Sequence, residues 1–418
     1  MTTRIYPKLI SKVSYTDILV FKFDKKTLVV HIVINTTINS RQSLSISDKN
    51  SWKMFRGSSM RTGISASKIS SKPSLLEVME VGPAVSSPVF EDGTIYISTI
   101  TGRIFAVNSF QKRIKWHSNV SSPIVSSPLV HDGILVAATY DSWIKGTSSI
   151  GQNFVLGMST EDGRQLWCYE ISGDVFSSPC VVDDMLIVIG SMKKGIHAID
   201  GHSGNVRWLF ETDGEVWSSA SYNGKEIFIG SDDGFLYCLD IDGKLLWKTK
   251  LNGKVRSSSP CLSCDDEVQS SSSIFIGTYG GGMICLNQST GKIKWSKHIS
   301  KPVMASPATI KDKVFFATSD NRIYCFRVND GSKIWDFETT DRIWSSPCLS
   351  EYGGTIFFGS LDSHIYGIDI NTGRQTWKFP TMSMVDSSPA IAKGMMFIAS
   401  RDGLLYVFGS LSTPSYIG

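Results

Sequence analysis

Ser387-Ser-Pro-Ala-Ile-Ala-Lys-Gly-Met-Met-Phe-Ile-Ala-Ser-Arg-Asp-Gly-Leu-Leu-Tyr-Val-Phe408 holds three short apolar runs separated by a Lys-Gly turn and an Asp-Gly turn. Apolar runs of four to seven residues bounded by Gly and Asp read as antiparallel strands joined by hairpins. Asp369-Ile-Asn-Thr-Gly-Arg-Gln-Thr-Trp377, just upstream, adds a Thr-Gly turn and the start of a fourth strand. Four strands in sequence make one antiparallel unit.

The unit repeats. Ser-Ser-Pro or a close variant ends at Pro88, Pro128, Pro179, Ala220, Pro260, Pro307, Pro347 and Pro389, with successive spacings of 40, 51, 41, 40, 47, 40 and 42 residues. A second marker, a tryptophan shortly after a turn, falls at Trp116, Trp167, Trp208, Trp247, Trp295, Trp335 and Trp377. The two markers stay locked in phase. A period near 40–45 residues with four strands per unit predicts propeller blades.

Eight inner strands accompany seven tryptophan-marked outer strands, and the missing outer strand is at the start. Counting back from Pro88 places Leu76 in the tryptophan slot, within Ser74-Leu-Leu-Glu-Val-Met-Glu-Val81. Strand 74–81 is therefore expected to complete the last blade. Closure of this kind joins the chain ends by backbone hydrogen bonds and removes an exposed sheet edge. The expected fold is all-β, an eight-bladed propeller of four-stranded antiparallel blades. Residues 51–410 form it, 1–50 are an N-terminal extension and 411–418 a tail.

Composition narrows the function classes. Lys+Arg 42 against Asp+Glu 38 gives +4 over 418 residues, too small a surplus for a nucleic-acid or polybasic membrane binder. No run of about 18 apolar residues occurs, so no transmembrane helix is expected. The N-terminus lacks a signal-type apolar core, and with unpaired thiols this predicts a reducing, cytoplasmic location. A monomer is expected.

Ile356-Phe-Phe-Gly-Ser-Leu-Asp-Ser-His-Ile-Tyr-Gly-Ile-Asp-Ile-Asn-Thr-Gly-Arg-Gln-Thr-Trp377 resembles a repeat of the PQQ-like, or quinoprotein alcohol dehydrogenase-like, propellers. Trp52-Lys-Met-Phe-Arg-Gly57, followed by Arg61-Thr-Gly63, resembles the lead-in ahead of such propellers. The resemblance covers about residues 52–408. It implies the fold; function stays open, because the family holds quinone-dependent dehydrogenases, scaffold proteins of outer-membrane assembly and domains attached to adenylating enzymes.

Dehydrogenases of that family carry adjacent cysteines beside the quinone, a calcium held by acidic and amide groups, and a catalytic Asp. No Cys-Cys dipeptide occurs here. Asp232, Asp233, Asp320, Asp362 and Asp402 are repeat residues suited to tight turns. Bound PQQ and calcium are therefore disfavoured, and no cofactor is expected. The cysteines fall in repeat slots of different blades and read as small buried hydrophobes.

Function is expected where blades disagree with each other. The residue three before the proline is Val85, Val125, Phe176, Trp217, Ser257 (preceded by Arg256), Met304, Trp344 and Asp386. The residue before the second hairpin turn also varies and includes Tyr140, Tyr279 and Arg401. Strand direction puts both sets on one face, at the mouth of the central channel. The longest insertion, between Tyr140 and Phe154, falls on that face and carries Trp143. Aromatic and Arg residues grouped at a rim are what binding hot spots use. Tyr140, Trp143, Phe176, Trp217, Arg256, Met304, Trp344, Asp386 and Arg401 are the candidate site, for a protein segment or small ligand. An enzyme using the same mouth, quinone-dependent or a cofactor-free lyase or cyclase, is the alternative. Large side chains that simply fill the channel are the bland one.

Overall fold

In blades 1 and 2 an Asp-Gly turn fixes where the inner strand reverses. Asp92 and Gly93 have φ of 46° and 76°, and Asp132 and Gly133 of 50° and 75°, the left-handed pair that a two-residue hairpin needs. Blade 1 runs Val89–Glu91, Thr94–Ser98, Arg103–Asn108 and Arg113–Asn119. A computed structural model of the chain describes residues 49–120, 122–141, 153–193, 195–256, 259–263 and 272–410, and the backbone of 15–23 and 26–34. Trp143 and Ser257 lie outside the described residues.

Eight antiparallel sheets of the same strand order make an all-β, eight-bladed propeller. The closing strand, Ser74–Glu80, pairs with Leu404–Gly409 as the outer strand of blade 8. Its register corrects one expectation. In every blade the outer pairing slips by one residue beside the tryptophan, as where Gly367 faces Trp377 and Ile368 faces Gln375. In blade 8 Val407 faces Glu77 and Phe408 faces Leu75. Glu77, not Leu76, therefore holds the tryptophan slot; counting back along the chain missed that the link to Pro88 is one residue shorter here.

Two devices bind blade to blade. Each tryptophan packs beneath the next blade's outer turn: an added Cβ on Gly331 would lie 2.7 Å from Trp295, and on Gly373 2.7 Å from Trp335. The indole Nε1 of Trp295 donates to the Val328 carbonyl of that next blade at 2.8 Å. Near the axis, the serine before the proline reaches its neighbour at seven junctions. The amide of Ser87 donates to the Ser127 hydroxyl, Ser127 to Ser178, and Ser178 to Ser219. Ser259 donates to Ser306, Ser306 to Ser346, Ser346 to Ser388, and Ser388 back to Ser87, all at 2.9 Å. The Ser-Ser-Pro repeat is thus the seam of the ring.

The lead-in has a role that sequence reading did not supply. Residues 49–67 cross one end of the channel and pair with inner strands as they pass. Trp52 exchanges both backbone hydrogen bonds with Phe90 of blade 1, and the Lys53 carbonyl accepts from Val130 of blade 2. Ser59, Met60, Thr62 and Gly63 serve Tyr222, Leu262, Thr309 and Leu349 of blades 4 to 7. Ile64–Ser65 even adds a fifth, parallel strand to blade 7. Ser65 Oγ donates to the Ile391 carbonyl of blade 8 at 2.7 Å. Blade 3 is reached by a side chain: Arg61 Nη2 donates to the Pro179 carbonyl at 3.0 Å, and its Nε to Ala220 of blade 4. Arg56 donates to the carbonyls of Pro307, at 2.7 Å, and Pro347. Both guanidiniums are buried, 1% and 0% exposed. Burial lowers both pKa values, that of Arg56 to about 10, yet backbone carbonyls hold the charges.

Candidate functional site at the channel mouth

The plug meets inner strands two residues after each proline, whereas the variable slot lies three residues before it. Five residues of extended chain span about 16 Å. The plug and the variable slots therefore lie at opposite ends, and the channel is a blind cup. Its cavity, of about 220 Å³, is lined by Val85, Val125, Phe176, Trp217, Met304, Trp344, Asp386 and Arg401. Phe55 of the plug and six seam serines, Ser87, Ser127, Ser178, Ser219, Ser346 and Ser388, also line it.

The structure thus gathers Phe176, Trp217, Met304, Trp344, Asp386 and Arg401 around one cavity. Tyr140 and Arg256 sit one layer out. Tyr140 meets Phe176 edge-on with ring centres 6.4 Å apart, and Phe176 meets Trp217 at 5.5 Å. The Arg256 guanidinium lies 4.9 Å from the Trp217 ring and 5.2 Å from that of Tyr279. An aromatic and cationic row therefore runs unbroken from blade 2 to blade 5, of the kind that carries cation–π attraction.

Charge at the mouth is paired within the protein. Arg256 grips Asp232 through Nε and Nη2, at 2.9 and 2.7 Å, and this raises the Arg256 pKa. Arg401 holds Asp386 in the same two-pronged way, at 2.9 and 2.7 Å. Trp217 Nε1 donates to Glu215 at 2.8 Å and Trp344 Nε1 to Ser319 at 3.3 Å, so both rings are held by their polar edges. Burial, with Asp174 nearby, raises the pKa of Tyr140. Besides the Asp386–Arg401 pair, the cavity is faced by apolar wall and hydroxyl floor.

Sequence reasoning missed the floor. Phe55 was visible only as part of the lead-in, and its place beneath the cup depends on the path of the plug. The serines were read as scaffold because they are constant, and they are both scaffold and lining. Rim residues Met382, 84% exposed, and Met384 also escaped notice, because they precede the slot that was compared.

Among known proteins, the chain is 26% identical over 188 residues to outer membrane protein assembly factor BamB of Nitrosomonas eutropha, covering 41% of this chain and 44% of that protein. It is 21% identical over 248 residues to the beta-alanine-activating enzyme of Drosophila melanogaster, covering 54% of this chain and 23% of that one. The chain thus spans about half or less of these relatives. Among solved structures, quinohemoprotein alcohol dehydrogenase from Comamonas testosteroni superposes with a TM-score of 0.72 at 13% identity, over 91% of this chain and 84% of that one. BamB from Moraxella catarrhalis gives 0.66 at 16% identity, over 81% and 98%. At such identities the likeness shows the fold alone. The family model for outer membrane protein assembly factor BamB matches residues 47–167. With the model described as "Beta-alanine-activating enzyme, beta-propeller" matching residues 182–415, more than half its length, the chain belongs to that β-propeller family, within the PQQ-like propellers.

Proposed function

We propose that this propeller is a non-catalytic binding and scaffold protein that recognises a protein segment or small ligand at the channel mouth. One observation carries the reading: Phe176, Trp217, Met304, Trp344, Asp386 and Arg401, from slots that vary between blades, line a single cavity above a constant seam. The BamB relatives, named as assembly factors, support a scaffold role. Trp217, Trp344, Phe176 and Arg256 are the anchor types that dominate binding energy, and each is held in place by its neighbours. A monomeric state belongs to the same proposal, supported by a ring closed by its own strand.

The quinone-dependent alternative fits these residues less well. Asp386 is committed to Arg401, and the turn acids are committed to tyrosines: Tyr237, Tyr324, Tyr366 and Tyr406 donate to Asp233, Asp320, Asp362 and Asp402 at 2.6–2.7 Å. A cavity of about 220 Å³ is also smaller than the roughly 300–1,000 Å³ usual for small-molecule sites. A role without PQQ or calcium follows from this reading. Buried thiols such as Cys180, Cys261 and Cys348 suit a reducing, cytoplasmic compartment, which we include in the proposal.

The test is a photo-cross-linking residue placed at Met304, with Phe110 on an outer turn as control. A protein adduct at Met304, absent at Phe110 and lost in Trp217→Ala, supports the reading. Adducts of equal strength at both positions contradict it.

A further inference from the structure

The cup combines two chemistries. Its walls are Trp217, Trp344, Phe176, Met304, two valines and the Asp386–Arg401 ion pair, and its floor is Phe55 within a ring of seam hydroxyls. Each of the six seam hydroxyls that line the cup accepts the amide proton of the serine in the blade before it, which leaves its own proton to donate. Such a floor calls for an occupant whose buried tip can accept or share a hydrogen bond. Among the described residues three guanidiniums stand at the mouth and each is engaged by a carboxylate: Arg256 by Asp232, Arg401 by Asp386 and, beside Trp344, Arg342 by Asp341.

Size adds a second limit. About 220 Å³ exceeds the roughly 150 Å³ that holds a benzene and falls short of a multi-ring cofactor. One aromatic ring with a small polar tip fits. Outside the cup, Met382 and Met384 before blade 8 are exposed, and Tyr279 of blade 5 is exposed beside Arg256. In a ring of eight, blade 5 lies three blades round from blade 8, on the other side of the mouth. Apolar rim on both sides gives an extended chain a place to lie, and methionine adapts to many shapes.

We propose that the occupant is an uncharged, extended protein segment that seats one tyrosine in the cup, its ring between Trp217 and Trp344 above Phe55 and its hydroxyl on the serine ring. The inference rests on the reading of the mouth as a binding site and names what that site selects. Tyrosine is suited to it as a side chain with an apolar body and a polar end that needs a partner when buried.

Calorimetric titration of the full chain with N-acetyl-L-tyrosinamide, N-acetyl-L-phenylalaninamide and the O-phosphorylated tyrosinamide tests it. The tyrosine probe should bind at least tenfold more tightly than the other two, and Trp217→Ala should remove its binding while the protein still melts cooperatively. Equal affinity for the tyrosine and phenylalanine probes, or a preference for the phosphorylated one, overturns the choice of tyrosine and leaves an apolar or anion-selective mouth. Saturable binding of none of the three overturns it as well. The cross-linking experiment at Met304 then decides separately whether the mouth binds protein at all.

Discussion

Glycine and tryptophan are coupled across every junction from blade 1 to blade 7. The glycine four residues before each tryptophan has positive φ and no room for a Cβ, because the previous blade's indole lies against it. Blade 1 breaks the rule on one side and blade 8 on the other. Lys112 stands where the glycine belongs, with φ of 53°, and Glu77 stands where the tryptophan belongs. The two meet as an ion pair of 2.9 Å, a largely exposed contact worth little by itself. Glu77→Trp alone should therefore lower the melting temperature, because the indole meets the Lys112 side chain. Adding Lys112→Gly should restore it to at least the wild-type value. Thermal melts of both variants check this; a single variant as stable as the double contradicts the coupling.

His197 tells a similar story at the slot where Tyr237, Tyr324, Tyr366 and Tyr406 sit in other blades. No turn acid faces it, and its Nδ1 instead meets the Tyr169 hydroxyl at 2.9 Å. Burial lowers its pKa from 6.5 to about 4. Between these values the unfolded chain binds the proton and the folded chain does not. Stability is thus present above pH 6.5 and is lost as pH falls toward 4, by on the order of 3 kcal/mol at most. His197→Gln, which cannot titrate, should flatten the decline in stability between pH 6.5 and 4, measured by urea unfolding. An unchanged slope would show that other groups set it.

At the scale of elements, the strands and their order were legible and the plug was not. The period, the turn chemistry and the apolar runs all pointed to the same blades, since each acts over a few residues. Closure by strand 74–80 was legible from the missing outer strand, although its register was not. The plug is irregular: it pairs with inner strands a residue or two at a time, and no periodicity announces such contacts. Arg56 and Arg61 gave a faint signal, being charges in a segment otherwise rich in Gly, Ser and Met. Residues 49–67 bury Trp52, Met54, Met60 and Ile64. Each such side chain contributes about 1.5–3 kcal/mol. A chain starting at residue 49 should melt as the full chain does. One starting at residue 68, with the closing strand intact, should melt on the order of 10 °C lower or fail to fold. Equal melting temperatures would mean that the plug is decoration.

For the whole molecule, the candidate site was legible because internal repeats act as their own comparison. Phe176, Trp217, Met304, Trp344 and Asp386 are separated by 210 residues of chain, yet one slot in the repeat brings them to one cavity. Tyr140 and Arg256 came out one layer behind, where they lean on Phe176 and Trp217. The depth of the cup was hidden, since it depends on what closes the far end. Together these features describe a ring whose seam and plug supply rigidity and whose mouth supplies recognition.

That division makes a direct demand on two residues. Trp217 and Trp344 are half-buried at the mouth, outside the seam and the plug. With the partner captured at Met304, its affinity and the melting temperature should be measured side by side for Trp217→Ala, Trp344→Ala and the double variant. Each single change should weaken binding by about 2 kcal/mol or more, as aromatic anchors do, with melting nearly unchanged. A double variant that melts well below the wild type while binding the partner at full strength would make these residues channel filling, and would contradict the account.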